Sequence, residues 1–379
     1  MKGLRKIIYP FAPDQSGATS VFYELGGIIV ICDAGGCAGN VCGFDEPRWF
    51  VSKSMIFSAG LRDMDAILGR DRQMVDKMAD AAQKLDAKFA VVIGTPVPAT
   101  IATDYRAVKR MAEKKLGIPV MTVDTNGIRW YDHGAEKAYT ELFETFAGER
   151  AASDAASTSD DPFSSRTEPA YRGRIGVLGA TPLDLGSLSA PQRIERVLKE
   201  RGADEVVCYG FGSTLEDVKR AAEADCNLVI APSGLRAAKY LKKHFGVPYT
   251  CGYPILEDVW HTPEKEMAGK RILIVHQQVL ANELRNRIRK TLGREKLPQA
   301  DITAATWFMQ KRELKEEGDR IIPDEDRFVE MIETGSYDVI IADRSLKKAV
   351  SGFDGEWIHL PHFAVSGELE DKVIPEFYT

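Results

Sequence analysis

No apolar run in this 379-residue chain approaches the roughly 18 residues that a membrane-spanning helix requires, so no membrane helix is expected. Positive charge is also short. The 50 Lys and Arg against 56 Asp and Glu leave a formal charge of −6, which argues against nucleic acid, a partner that attracts basic stripes. The N-terminal stretch MKGLRKIIYPFAP lacks the apolar core and cleavage site of a signal peptide, so a cytoplasmic protein is expected. No G-x-x-x-x-G-K-[ST] occurs and no G-x-G-x-x-G follows a strand-like run; any ATP-driven step has to come from another protein. Cysteine is scarce too, yet three of the six crowd into one loop, CDAGGCAGNVCG, residues 32–43.

In a reducing compartment such a cluster points to metal or redox chemistry more than to disulfides. Cys32, Cys37 and Cys42 recur every five residues among Gly35, Gly36, Gly39 and Gly43, which allow close backbone approach. A loop of this composition can fold around an iron–sulfur cluster with its N–H groups toward sulfide, but three thiolates do not complete a four-iron cubane. Asp33, another residue, or a second copy meeting this one across a two-fold axis could supply the rest. The spacing is that of neither a ferredoxin nor a zinc ribbon, and a structural loop of small residues is the alternative. Cys208, Cys226 and Cys251 stand in apolar contexts and read as packed small hydrophobes.

Along the chain, continuous apolar runs read as strands buried on both faces: 26–31, 89–94, 118–123, 174–179, 205–210, 227–232, 271–276, 301–306 and 337–343. Amphipathic runs such as 103–115 and 215–224 read as crossover helices between them, the pattern of parallel, doubly wound sheets. One unit occurs twice: FAVVIGTP, a helix, then KLGIPVMTV (89–123), and NLVIAPSG, a helix, then HFGVPYTCG (227–252). A looser version holds YDVIIADRS and WIHLPHF. The stretch 148–170, rich in Ala, Ser, Asp and Thr, shows no apolar period and reads as a connector. The expected fold is therefore α/β, with three Rossmann-like domains of mostly parallel sheet around a central cleft: 1–147 with the cysteine loop, 171–262 and 263–379. Ligands of such sheets sit beyond the carboxyl ends of the strands, where the cysteine loop begins.

The order of motifs resembles the nitrogenase component-1 superfamily, which includes nitrogenase subunits, their cofactor scaffold and the tetrapyrrole reductases. The resemblance runs through nearly the whole chain. DQSGATSVFYELGGIIVICDAGGCA (14–38) resembles that family's opening segment, in which the cysteine of Gly-Cys-Ala ligates a cluster. Residues 58–82, 91–108 and 117–139 resemble its next helix, strand-turn-helix and glycine turn. The most specific stretch is GSTLEDVKRAAEADCNLVIAPSGLRAAKYLKKHFGVPY (212–249), with a capping box expected at Ser213–Glu216. Of the family's three cluster cysteines only Cys37 has a clear counterpart; Ala12 and Pro13 stand near the first, and Thr95 where the third would be. Cys32 and Cys42 are extra and local to Cys37. Ala231 and Pro361 stand at the family's molybdenum-cofactor ligands, with His362 one step from the latter, so the chain departs from a nitrogenase proper.

The resemblance implies a nitrogenase-like reductase subunit. Cys32, Cys37 and Cys42, with Asp33 as a possible fourth ligand, would hold an iron–sulfur cluster, expected as 4Fe-4S, at the interface of a homodimer or heterodimer. Electrons would come from an ATP-dependent iron-protein partner and pass to a small-molecule substrate in the cleft, a tetrapyrrole or another unsaturated or thioether-type compound. A non-catalytic scaffold for metallocofactor assembly and a hinged two-lobe binding protein are the alternatives. His362 is the candidate proton donor, being expected near its ordinary pKa, while His359 should point to the opposite face. Asp124, Asn126 and Arg129 follow a strand and read as turn residues facing the ligand edge. Arg129 or Arg236 could pair with a substrate carboxylate, and Trp49, Trp130 and Tyr131 could line a flat pocket or pack a domain interface. The turns at Gly179-Ala-Thr-Pro and Gly210-Phe-Gly-Ser-Thr could cradle an anion.

Overall fold

A computed structural model describes residues 5–62, 65, 69, 71–148 and 171–369; apart from Gly148, the expected connector lies outside the described residues. Three sheets account for the architecture. The first contains β1 (Ile28–Ile31), β2 (Ile56–Ser58), β3 (Ala90–Ile93) and β4 (Val120–Val123) in the order β2-β1-β3-β4. The second repeats that order, β6-β5-β7-β8, with β5 (Arg174–Leu178), β6 (Glu205–Cys208), β7 (Cys226–Val229) and β8 (Tyr249–Cys251). The third runs β11-β10-β9-β12-β13, with β9 (Arg271–Val275), β10 (Asp301–Thr306), β11 (Arg320–Ile321), β12 (Val339–Ala342) and β13 (Glu356–His359). All pairings within them are parallel. The central strands are the most apolar: Ile28–Ile31, Ala90–Ile93 and Val339–Ala342 are buried at every position, as strands covered by helices on both faces must be.

The repeated unit has a shared punctuation. The Tyr105–Leu116 helix ends at Gly117 and the Leu235–Phe245 helix at Gly246, both left-handed, with φ of 69° and 74°. Glycine takes this conformation without Cβ strain, and the Ile118-Pro119 and Val247-Pro248 pairs that follow lead into β4 and β8. The capping box, in contrast, sits one residue later than expected. Thr214 adopts the extended N-cap conformation and exchanges hydrogen bonds with Asp217, while the Ser213 hydroxyl accepts from the Gly210 N–H.

Two helices join the sheets. The Asp14–Phe22 helix is buried at every residue and crosses the Tyr131–Phe146 helix. The crossing is so close that a Cβ on Gly17 would fall 1.8 Å from the Tyr131 carbonyl oxygen, and one on Gly134 1.7 Å from that of Asp14. A single apolar core gathers Ile29, Val91 and Val123 of the first sheet and Leu178, Val207 and Val229 of the second around Phe22 and Tyr139 of this pair. Because neither backbone can retreat without opening that core, Gly134→Ala should destabilise the protein by about 3 kcal/mol in urea unfolding. Gly352→Ala, where an added Cβ meets nothing within 4 Å, should leave the unfolding midpoint in place.

Candidate functional site

The order of the first sheet reverses between β1 and β3, and the cysteine loop leaves from that point. The Cys32 N–H donates to Ile93 O at 2.8 Å, and the Thr95 hydroxyl donates to Cys32 O at 2.8 Å. Strand alternation then separates the thiols. Ile29 faces the crossing helices, whereas Ile28, Val30 and Cys32 face the other side, against Met74, Met78 and Val108. Burial, with Asp71 and Asp33 nearby, pushes the Cys32 thiol up to about 12. Cys37 lies on the short Gly36–Asn40 helix and Cys42 on the wider turn Val41–Asp45, both half-buried. The Cys37 thiol is raised by burial and by Asp33, with Thr95 acting the other way, and that of Cys42 is raised by burial and by Glu46. Asp33 is buried and occupied: one carboxylate oxygen accepts from Ala38 N at 2.8 Å and the other from the Ser58 hydroxyl at 2.6 Å. Among the described residues no group of three or more His, Cys, Asp or Glu converges as a metal site. The loop does have room, for a Cβ on Gly36, Gly39 or Gly43 would meet nothing within 4 Å. Cys37 and Cys42 with that space fit part of a cluster's donor set.

The end of this loop forms one wall of a groove of about 500 Å³. Phe44, Asp45 and Phe50 face Tyr9, Leu183 and the Phe363–Val365 turn across it. Leu183 follows the second sheet's first strand and Phe363 follows β13, so all three sheets contribute.

The neighbours of Leu183 and Phe363 in sequence belong to a buried polar network. The Tyr131 hydroxyl donates to Asp184 Oδ1 at 2.6 Å and lies 3.0 Å from His362 Nε2; the His276 ring stacks on that of His362 with centroids 4.2 Å apart. The His362 N–H donates to Asp343 Oδ2, and the Thr181 hydroxyl to Asp184 Oδ2. His276 Nε2 meets Pro361 O, while its Nδ1 has no partner among the described residues. Burial governs the titration here. It raises Asp184 to about 7, lowers His276 to about 4 and holds His362 well below the ordinary imidazole value. His362 is therefore neutral near pH 7, not poised near its ordinary pKa as expected from sequence. His359 sits apart, half-exposed at the end of β13, where its Nδ1 accepts from Arg344 N.

The remaining candidates resolve into structural roles. Asn126 Oδ1 accepts from the Ile128 and Arg129 N–H groups, and the Asp14 carboxylate accepts from those of Asn126 and Gly127. Trp130 packs edge-on against Phe11, the Trp49 ring lies under Lys53, and Asp124 lends its carbonyl to Lys137. Arg236 borders a separate, mixed-charge groove with Lys109 and Glu141. Of the two turns expected to cradle an anion, each has a carboxylate of the chain beside it, and one gives that carboxylate a backbone N–H. Asp184 takes the Thr181 hydroxyl in one, and Glu24 accepts from Gly212 N in the other.

Three parallel sheets that each lend a segment to such a groove define an α/β protein of the kind whose ligands sit beyond the carboxyl ends of the strands. A model of the nitrogenase component 1 type oxidoreductase family matches residues 15–255, and the chain belongs to that family. It is similar to the nitrogenase iron-molybdenum cofactor biosynthesis protein NifE of Clostridium pasteurianum, with 24% identity over 60% of this chain and 48% of that protein. It is also similar to one of the subunits of the light-independent protochlorophyllide reductase of Rhodopseudomonas palustris (strain TIE-1), with 28% identity over 53% of this chain and 37% of that protein. The chain thus spans about half or less of the length of these curated relatives. A solved structure of nitrogenase Cp1 at pH 6.5 superposes with a TM-score of 0.66, covering 95% of this chain and 87% of that one at 12% identity, which is a likeness of fold. Among the described residues no helix is long and apolar enough to cross a membrane.

Sequence reasoning singled out His362 and Tyr131 but missed their partners. Asp184 carried a signal, five residues beyond the start of a turn already marked as able to cradle an anion, whereas His276 closes an apolar run and reads as its edge. The network makes stability depend on pH in two opposed ways. Between its ordinary 3.8 and about 7, folded Asp184 keeps a proton that the unfolded chain gives up, so acidification through that window stabilises the fold. His276 does the reverse between 6.5 and about 4, because the unfolded chain takes up a proton that the folded one refuses, and His362 acts in the same direction. Asp184→Asn removes the first effect alone. Its stability should fall more steeply than that of the wild type between pH 6.5 and 4 in urea unfolding; parallel curves would show that Asp184 ionises normally.

Proposed function

We propose that the chain is a reductase subunit that holds an iron–sulfur cluster on the Cys32–Cys42 loop and directs electrons to a small molecule in the groove beside it. The observation that carries this reading is the place of Cys37: next to Thr95, at the switch point of the first sheet, in a loop whose next turn lines the groove. When bound, the cluster would supply single-electron transfer. Cys37 and Cys42 are its candidate ligands, with Cys32 joining only if its thiol leaves the core. Asp33 acts by shaping the loop through Ala38 and Ser58. A second chain, the same or a related one, completes the donor set. An ATP-hydrolysing iron protein is the electron donor, because this chain has no phosphate-binding loop of its own. We read residues 1–147, 171–262 and 263–379 as three lobes closing on the groove, in a cytoplasmic dimer. The lobes exclude water, and Tyr131, Asp184 and His362 hold a proton at a fixed place behind Leu183 and Phe363.

A second reading is a scaffold on which a metallocofactor is assembled or carried. It is favoured by the similarity to a cofactor biosynthesis protein.

Anaerobic purification with iron and sulfide analysis and EPR tests both. About four irons per chain or per pair, with a dithionite-dependent signal lost in Cys37→Ala, are expected. A colourless, iron-free protein after anaerobic reconstitution would overturn both readings. Product formation with an iron protein, ATP and a reductant separates reductase from scaffold.

A further inference from the structure

The groove beside the cysteine loop has an uneven chemistry. Tyr9, Phe44, Phe50, Leu183, Phe363 and Val365 give it an apolar face, and three of these rings are left open to solvent: Tyr9 is 70% exposed, Phe44 75% and Phe50 44%. Exposed rings of this size gathered at one concave place mark a binding surface. One ionisable group, Asp45, stands among the described lining residues, and no Lys, Arg or His does. Of the two cations recorded beside Tyr9, Arg5 donates to the Tyr9 carbonyl and stacks on Phe11 and Trp130, and Lys348 lies 6.0 Å from the Tyr9 ring centroid.

Asp45 is held for a purpose its own fold does not exhaust. Oδ2 accepts from the Ser16 hydroxyl at 2.6 Å and from Asn40 Nδ2 at 2.7 Å, which fixes the carboxylate plane. Oδ1 receives no hydrogen bond among the described residues. Asp45 is partly buried on the groove wall, where burial raises its carboxyl to about 6 and Oδ1 stays open to an incoming donor. A ligand with an N–H or O–H group in reach would supply that donor. A ligand carboxylate would instead meet a like charge with no cation to offset it.

We propose that this groove binds a largely apolar molecule, uncharged or singly cationic, whose N–H or O–H group donates to Asp45 Oδ1. The aromatic walls take its apolar body, and Asp45 selects its polar end. Polyanionic compounds are excluded from the groove, including tetrapyrroles that carry several free carboxylates. Only the word substrate for this molecule rests on the reductase reading; binding is measured without a cluster or turnover, so either proposal can fail alone.

The test is isothermal titration calorimetry of the full chain at pH 7.5 with three probes of one shape: 2-naphthylmethylamine, 2-naphthylmethanol and 2-naphthylacetate. The amine should bind at least about tenfold tighter than the acetate, as a charge-assisted bond against a like-charge contact requires. Asp45→Asn keeps an acceptor for Ser16 and removes the charge, and should bring amine and alcohol to similar affinities. Phe50→Arg, a change at a half-exposed rim position, should invert the ranking by favouring the acetate; it serves as the second variant should Asp45→Asn unfold. Equal or tighter binding of the acetate to the wild type would overturn the proposal, as would an amine affinity unmoved by both variants. Binding of none of the probes would overturn it too and leave the exposed rings to a protein partner.

Discussion

Two backbones in direct contact, at Gly17 and Gly134, set the spacing on which the rest of this molecule depends. With no side chain between them, the first residues of both helices are brought to one junction. Asp14 uses its carboxylate to close the turn after β4 by accepting from Asn126 and Gly127. Tyr131, at the start of the other helix, reaches Asp184 behind the second sheet and His362 behind the third. A side chain at the crossing would push the helices apart and lengthen every one of these contacts together. The same helix pair anchors the cysteine loop. Fully buried Arg48 donates to Glu46 and Glu24, to Ser20 O on the crossing helix and to Gly210 O after β6. Burial works against its charge, but the two carboxylates outweigh that effect and the guanidinium is held more firmly protonated than usual. A network of this kind adds little net stability when intact, yet removing one partner strands the others; its effect is to fix where the loop ends.

A carboxylate of the chain itself occupies one place where an α/β fold usually offers its N–H groups to a ligand. Glu24 accepts from the Gly212 N–H, while Asp184 takes the Thr181 hydroxyl. The groove between Phe44 and Phe363 is lined mostly by apolar side chains. Its described lining suits recognition by shape and a few hydrogen bonds.

Much of the fold was legible because its central strands are continuous apolar runs between amphipathic helices. All nine runs read as strands correspond to strands here, including Ile28–Ile31 and Val339–Ala342. The strands without such a signal are edges. β2 and β11, with Ile56–Ser58 and Arg320–Ile321, are two or three residues long and half-exposed, so nothing demands an apolar run from them; β8 and β13 were visible only through the repeat. The site was legible in part. The loop, Tyr131 and His362 were marked, but regular five-residue spacing did not reveal that Cys32, just past the end of β1, keeps the strand's alternation and turns inward, while Cys37 and Cys42 ride a helical turn. Partners brought together by tertiary packing, such as Asp184 and His276, leave no periodic trace.

Buried ionisable groups in this protein are paired with a counter-ion, held by neutral donors as Asp14 and Asp33 are, or kept neutral. Arg48 is paired with Glu46 and Glu24, and Arg285 with Asp319. Others give up their charge, as His276 and His362 do, and as Asp184 does in sharing its range with neutral pH. Asp45 is held on one side only: Ser16 and Asn40 donate to Oδ2, and Oδ1 carries no hydrogen bond among the described residues. It stands three residues from Cys42, on the wall that the loop presents to the groove. An acceptor fixed through one oxygen and open at the other gives that wall a polar anchor among apolar side chains.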